Sequence, residues 1–165
     1  VVLAVSAAAA CGPTVVPAPV VTAPKYPGFV PPQVPPPLDS SSAAISQDRG
    51  WRFLQVGDLR AAEQEFATAL TVARDFFPAE TGLGYVALAR KDDKPALTYF
   101  DRALAQHPNY VSALVGRGYA LEALERTADA VAAFQAALAV DPSLAEIHRR
   151  VAVLQFRAVQ DELDA

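Results

Sequence analysis

From about residue 43 onward, apolar positions recur every three or four residues and polar ones fill the gaps. This is the period of helices half buried against neighbours. The breaks in the pattern divide it into predicted helices over Ala43–Val56 and Leu59–Ala73, with Gly57-Asp58 as the turn. A second pair is predicted over Pro78–Arg90 and, after Lys91-Asp92-Asp93, on to Gln106. A third runs over Tyr110–Leu124 and Thr127–Val140. His107-Pro108-Asn109 and Asp141-Pro142-Ser143 stand between pairs, where proline ends a helix and starts the next. A last helix is predicted from Ser143 to Asp164. Its apolar stripe is Leu144, Ile147, Val151, Leu154 and Ala158, and His148, Arg149, Arg150, Arg157 and Asp161 fall largely off it. The residues ahead of 43 have no such period. Gly12 to Ser42 is so rich in proline that it can build no core, and a disordered, extended spacer is expected.

A second periodicity lies above the first. Gly50-Trp51, Ala62, Phe66, Ala69 and Leu70 return 34 residues later as Gly84-Tyr85, Ala96, Phe100, Ala103 and Leu104, and again as Gly118-Tyr119, Ala130, Phe134, Ala137 and Leu138. A fixed period of this size marks stacked units, none of which can bury its apolar face alone. Small residues in the first helix of each unit allow close approach of the second, and the phenylalanines fill the space between units.

On these residues the chain resembles the tetratricopeptide repeat family over Ala43 to about Asp164. Gly50, Gly84 and Gly118 match its small position 8. The Ala-Phe-Ala triplets match positions 20, 24 and 27, and Pro108 and Pro142 match position 32. The departures are Arg74 at position 32 of the first unit, Phe53, Ala87 and Leu121 at position 11, where Tyr is usual, and position 7, where the usual Leu is present only in the second unit, as Leu83. The resemblance implies an all-α, right-handed α-solenoid of three helix pairs (43–76, 77–110 and 111–144) and a capping helix over 145–165.

Composition adds a different message at the N-terminus. Ten of the 14 prolines precede residue 40, and the sole cysteine is Cys11. Val1 to Ala10 reads as the apolar region of an export signal, too short to span a bilayer; with no Met or basic start ahead of it, it reads either as clipped or as beginning at a misassigned or alternative initiation codon. Ala8-Ala9-Ala10-Cys11 resembles a bacterial lipoprotein signal, although Leu is usual at Ala8. That resemblance implies a lipid on Cys11, and Gly12 after it implies the outer membrane, facing the periplasm. Residues 11–42 would then be a lipidated cysteine and its tether, with a reach on the order of 80–90 Å at about 3.1 Å per residue. Cleavage after Ala10 by the ordinary secretory peptidase, leaving a free thiol, is the other reading. Pro31-Pro32-Gln33-Val34-Pro35 also has the look of a ligand for a proline-binding domain.

In this family the first helix of each unit lines a concave groove. The positions facing it here are Gln47, Thr81 and Val115; Trp51, Tyr85 and Tyr119; and Leu54, Leu88 and Glu122. Val153 is the equivalent of the aromatic rungs in the last helix. The Lys and Asn side chains with which one well-known variant clamps a peptide carboxylate are absent at the corresponding positions. An apolar, aromatic groove suits a protein or peptide segment. The alternative is that the rungs pack internally, or that the C-terminal helix, the tether or a twin molecule fills the groove.

Other chemistry finds no support. Gly82-Leu83-Gly84-Tyr85-Val86-Ala87 matches a dinucleotide fingerprint, but no strand precedes it and Gly116-Arg117-Gly118 repeats it 34 residues on. His107 and His148 are remote from each other and from Cys11, so no metal site is expected. No catalytic set or cofactor is predicted. A net charge of −4 without a basic cluster argues against nucleic acid. No small-molecule substrate is indicated. The expected role is a scaffold anchored in the bacterial cell envelope that supports assembly of an envelope complex. A structural or self-associating module is the alternative.

Overall fold

The computed structural model describes residues 17–39 and 41–163. Val1–Ala10, Cys11 and the first tether residues lie outside that range. Seven α-helices follow in order: α1 (Ser42–Val56), α2 (Leu59–Val72), α3 (Phe77–Arg90), α4 (Asp93–Gln106), α5 (Val111–Ala123), α6 (Thr127–Val140) and α7 (Ala145–Leu163). Among the described residues there is no strand. Each helix packs on the next, and α1–α3 and α3–α5 also touch. The odd-numbered helices therefore form an inner row and the even-numbered ones an outer row, an α-solenoid.

Local chemistry places the ends. The Ser41 hydroxyl accepts the Ala44 amide at 3.1 Å and starts α1, and Asp58 accepts the Ala61 amide at 3.0 Å and starts α2. The turn inside each unit uses one left-handed residue, at Gly57 (φ 85°), Lys91 (φ 67°) and Glu125 (φ 60°). These three are 34 apart, so the turn repeats in backbone conformation even where glycine does not.

The repeated glycines and phenylalanines lock the rows together. A Cβ placed on Gly50 would lie 2.7 Å from a Phe66 ring carbon, and one on Gly82 would lie 2.5 Å from the same atom. Phe66 is thus gripped from its own unit and from the next. Phe100 is held in the same way between Gly84 and Gly116, and Phe134 rests on Gly118. All three rings are fully buried. Gly82 and Gly84, the glycines of the dinucleotide-like motif, are therefore seats for two different phenylalanines. On α7, Ile147, Val151 and Leu154 are buried against the third unit, as its stripe predicts. The opposite face leaves Phe156 65% and Leu163 78% exposed.

The spacer reading is corrected for residues 17–39. The prolines do keep this stretch out of α-helix, apart from a single 3-10 turn at Pro36–Leu38. It is not free, however. From Lys25 to Val34 it lies along the inner row, and Tyr26, Phe29 and Val34 pack against the core. Pro-rich sequence cannot build a core, but it can lie on one that already exists.

Candidate functional site

The path of the segment defines the site. Lys25 donates its amide to the Gln55 carbonyl at 2.7 Å, near the end of α1, and the Tyr26 amide reaches the Gln55 side chain at 3.3 Å. Tyr26-Pro27-Gly28-Phe29 then turns, with the Phe29 amide donating to the Tyr26 carbonyl at 3.1 Å. The chain returns past α5, and Ser41 begins α1.

The three aromatic rungs meet this turn in different ways. Phe29 stacks on Tyr85 with centroids 4.6 Å apart, and on Tyr26 at 5.0 Å. Trp51 meets the edge of Tyr85 at 5.8 Å. Tyr119 lies 6.3 Å from Phe29 and donates its hydroxyl to the Gly28 carbonyl at 2.9 Å. Tyr85 and Tyr119 also contact Phe100 and Phe134 behind them, at 5.2 and 5.4 Å. One residue therefore serves both the core and the groove.

Hydroxyl groups carry the polar contacts. Tyr85 donates to the Ser112 carbonyl at 2.8 Å and accepts the Val30 amide at 3.3 Å. The Ser112 hydroxyl donates to the Val30 carbonyl at 2.6 Å. Tyr110 donates to the Gln33 carbonyl at 2.7 Å. Burial pushes the Tyr85, Tyr110 and Tyr119 hydroxyls above the ordinary tyrosine range, so all three stay protonated donors at neutral pH.

The remaining predicted groove residues divide by depth. Leu54, Thr81 and Val115 are fully buried, and Tyr85 joins them under the segment. Thr81 turns its hydroxyl to the Phe77 carbonyl at 2.9 Å. Gln47 is 2% exposed and neither atom of its amide finds a partner, which leaves hydrogen-bonding capacity unused at that point. Trp51, Leu88, Tyr119 and Glu122 keep part of their surface. Glu122 pairs with Arg150 at 2.6 Å, and the Arg150 guanidinium covers the Tyr119 ring at 4.8 Å. Val153 is 41% exposed.

The turn does not fill the groove. On one side it leaves a cavity of about 580 Å³ bordered by Leu88, Lys91, Tyr119 and Arg150. On the other it leaves about 410 Å³ beside Trp51 and Arg52. Sequence reasoning missed Gln55, Tyr110 and Ser112, which hold the segment, and its anchors Tyr26 and Phe29. One signal was available: Tyr26 and Phe29 are the only aromatic residues among the first 50. Cys11 lies outside the described residues. Among the described residues no group of three or more His, Cys, Asp or Glu is placed to hold a metal, and no helix is long and apolar enough to cross a membrane.

Known proteins place this architecture. Over 129 residues the chain is 27% identical to cellulose synthase operon protein C of Komagataeibacter xylinus. The same figures hold for the protein of that name from Komagataeibacter sucrofermentans. The match covers 78% of this chain and 8% of either relative, so the chain spans a small part of their length. The first tetratricopeptide repeat domain of human RPAP3 superposes with a TM-score of 0.68 at 17% identity, over 74% of this chain and 97% of that one. A second structure, the first such domain of Spaghetti (RPAP3) bound to the HSP90 peptide SRMEEVD, gives 0.68 at 18% identity, over 73% and 96%. The tetratricopeptide repeat family profile matches residues 48–111, 94–145 and 115–163. With that match spanning the helical domain, and with paired helices packed through its small and aromatic positions, the chain belongs to the tetratricopeptide repeat family.

Proposed function

We propose that this protein is an interaction scaffold of the bacterial cell envelope, held to the outer membrane by lipid on Cys11. It docks a segment of a partner protein on its concave face and so supports assembly of an envelope complex. One observation carries the docking reading: a stretch of polypeptide already sits across Tyr85 and Tyr119, beside Trp51, and is bonded through its main chain. A surface that binds one extended segment has the shape and chemistry to bind another. The repeat proteins it resembles support this, since a solved relative holds a peptide of HSP90.

The same observation favours a second reading, in which the groove is filled by its own chain and the domain is purely structural. Two substitutions separate them. Tyr85 is unsuitable, because truncating a fully buried aromatic costs about 3–5 kcal/mol and threatens the fold. Trp51→Ala with Tyr119→Ala removes the two partly exposed rungs. Affinity capture from detergent-solubilised membranes should lose a specific partner in this variant while the helical circular-dichroism signal persists. Retention of the same partner would favour the structural reading. Mass spectrometry of the mature protein tests the anchor, and an unmodified Cys11 would refute it.

A further inference from the structure

The segment in the groove has an unusual balance of hydrogen-bonding groups. Seven of the 14 residues from Pro24 to Pro37 are prolines, which carry a carbonyl and no N–H. Such a ligand is rich in acceptors and poor in donors. The groove answers with donors. Tyr119, Ser112 and Tyr110 present hydroxyls to the carbonyls of Gly28, Val30 and Gln33, at 2.9, 2.6 and 2.7 Å. Ahead of the turn, Gln55 takes the amides of Lys25 and Tyr26; beyond it, over Gly28 to Gln33, the domain takes one amide, that of Val30, against those three carbonyls. The rings beneath supply the flat apolar surface on which proline and aromatic side chains rest. Over that stretch, polarity and surface together favour backbone with few N–H groups.

We infer that the concave face reads extended, proline-rich segments that carry an aromatic-Pro-Gly-aromatic turn. Residues 24–34 are the internal copy of that ligand, and they guard the groove until a partner protein's segment of the same chemistry displaces them. This rests on the docking reading above and names the class of partner. A second copy of this chain is not the occupant. Exchanging one copy's segment for another's gains no contact and adds the cost of association. A partner segment can gain, because the cavities of about 580 and 410 Å³ beside the turn accept side chains larger than the internal copy provides. The internal copy competes at the high effective concentration of a tethered ligand, so it lowers the apparent affinity of every competitor.

The test uses the full chain and a labelled synthetic peptide of residues 22–36. Tyr26→Ala with Phe29→Ala in the protein weakens the internal copy. Fluorescence anisotropy should show this variant binding the peptide at least ten-fold more tightly than the unaltered protein does. The same peptide carrying Phe29→Ala should bind at least ten-fold more weakly. Emission from Trp51, the only tryptophan, should shift on binding. If the double variant loses its helical signal, Phe29→Leu in the protein replaces it, because it weakens the internal copy and leaves the groove unaltered. Equal peptide affinity in altered and unaltered protein would overturn the guarding role. Binding of an amphipathic helical peptide in place of the proline-rich one would overturn the ligand class and leave the docking reading standing. Binding of neither would remove both. A dimer of the unaltered protein that exchanges segments would overturn the choice of a partner protein as occupant.

Discussion

Tyr85 faces three ways at once: its ring lies between Phe29 and Phe100, and its hydroxyl bridges Val30 to Ser112. A residue so placed couples the groove to the core, because no ring can shift toward a ligand without loosening the phenylalanine behind it. Glu80 shows the opposite, a side chain poorly served by its surroundings. Its carboxylate is largely buried, one oxygen has no hydrogen-bond partner, and Arg102 stands 4.0 Å away with most of its own surface in water. Burial accordingly raises the Glu80 carboxyl above its usual value of 4.5, against a weaker pull from Arg102. A carboxyl raised by folding favours the folded state below its unfolded value, and that contribution is lost as pH rises through the raised one. Glu80→Gln should therefore stabilise the protein at pH 7, with the gain vanishing below about pH 4.5. Urea midpoints at pH 7 and pH 4 check this. A less stable variant at pH 7 would mean that the Arg102 pair outweighs the burial.

At the scale of the element, the unit is a phenylalanine gripped by glycines of two successive inner helices. Gly84→Ala would bring a Cβ within 2.6 Å of the Phe100 ring, which has no free space to retreat into. Overpacking of this kind costs about 1–3 kcal/mol. The urea midpoint should fall accordingly, whereas an unchanged midpoint would show that the ring can shift at little cost. The seven helices were legible because each boundary carries local chemistry: a proline, a glycine, or a polar turn in the 34-residue register. Gly82 and Gly84 were legible as packing residues because Gly116 and Gly118 repeat them. The aromatic rungs were legible for the same reason. Their occupant was not. It meets the groove through single hydroxyl-to-carbonyl bonds between residues 77 to 91 apart in the chain, and such bonds leave no periodic trace. Proline content correctly foretold backbone that builds no core of its own, and gave no sign of the core it would lie on.

The whole molecule is then a solenoid with its N-terminal segment folded back along the inner row. Weakening that contact should alter shape while sparing the helices. In the Tyr26→Ala, Phe29→Ala protein, small-angle scattering should show the maximum dimension rising by on the order of 30 Å, the span of a flexible chain of that length. An unchanged profile would mean that the remaining hydroxyl bonds suffice to hold the segment.

The fold-back also sets a length. The bonds to the domain begin at Lys25, so the docked stretch starts there. Released, residues 25–41 would span on the order of 50 Å at about 3.1 Å per residue. If Cys11 carries the anchor, pulling the domain away from the membrane does work on the same equilibrium that a ligand shifts by binding. Tension would open the groove and an occupied groove would slacken the line, so force and affinity become two inputs to one switch.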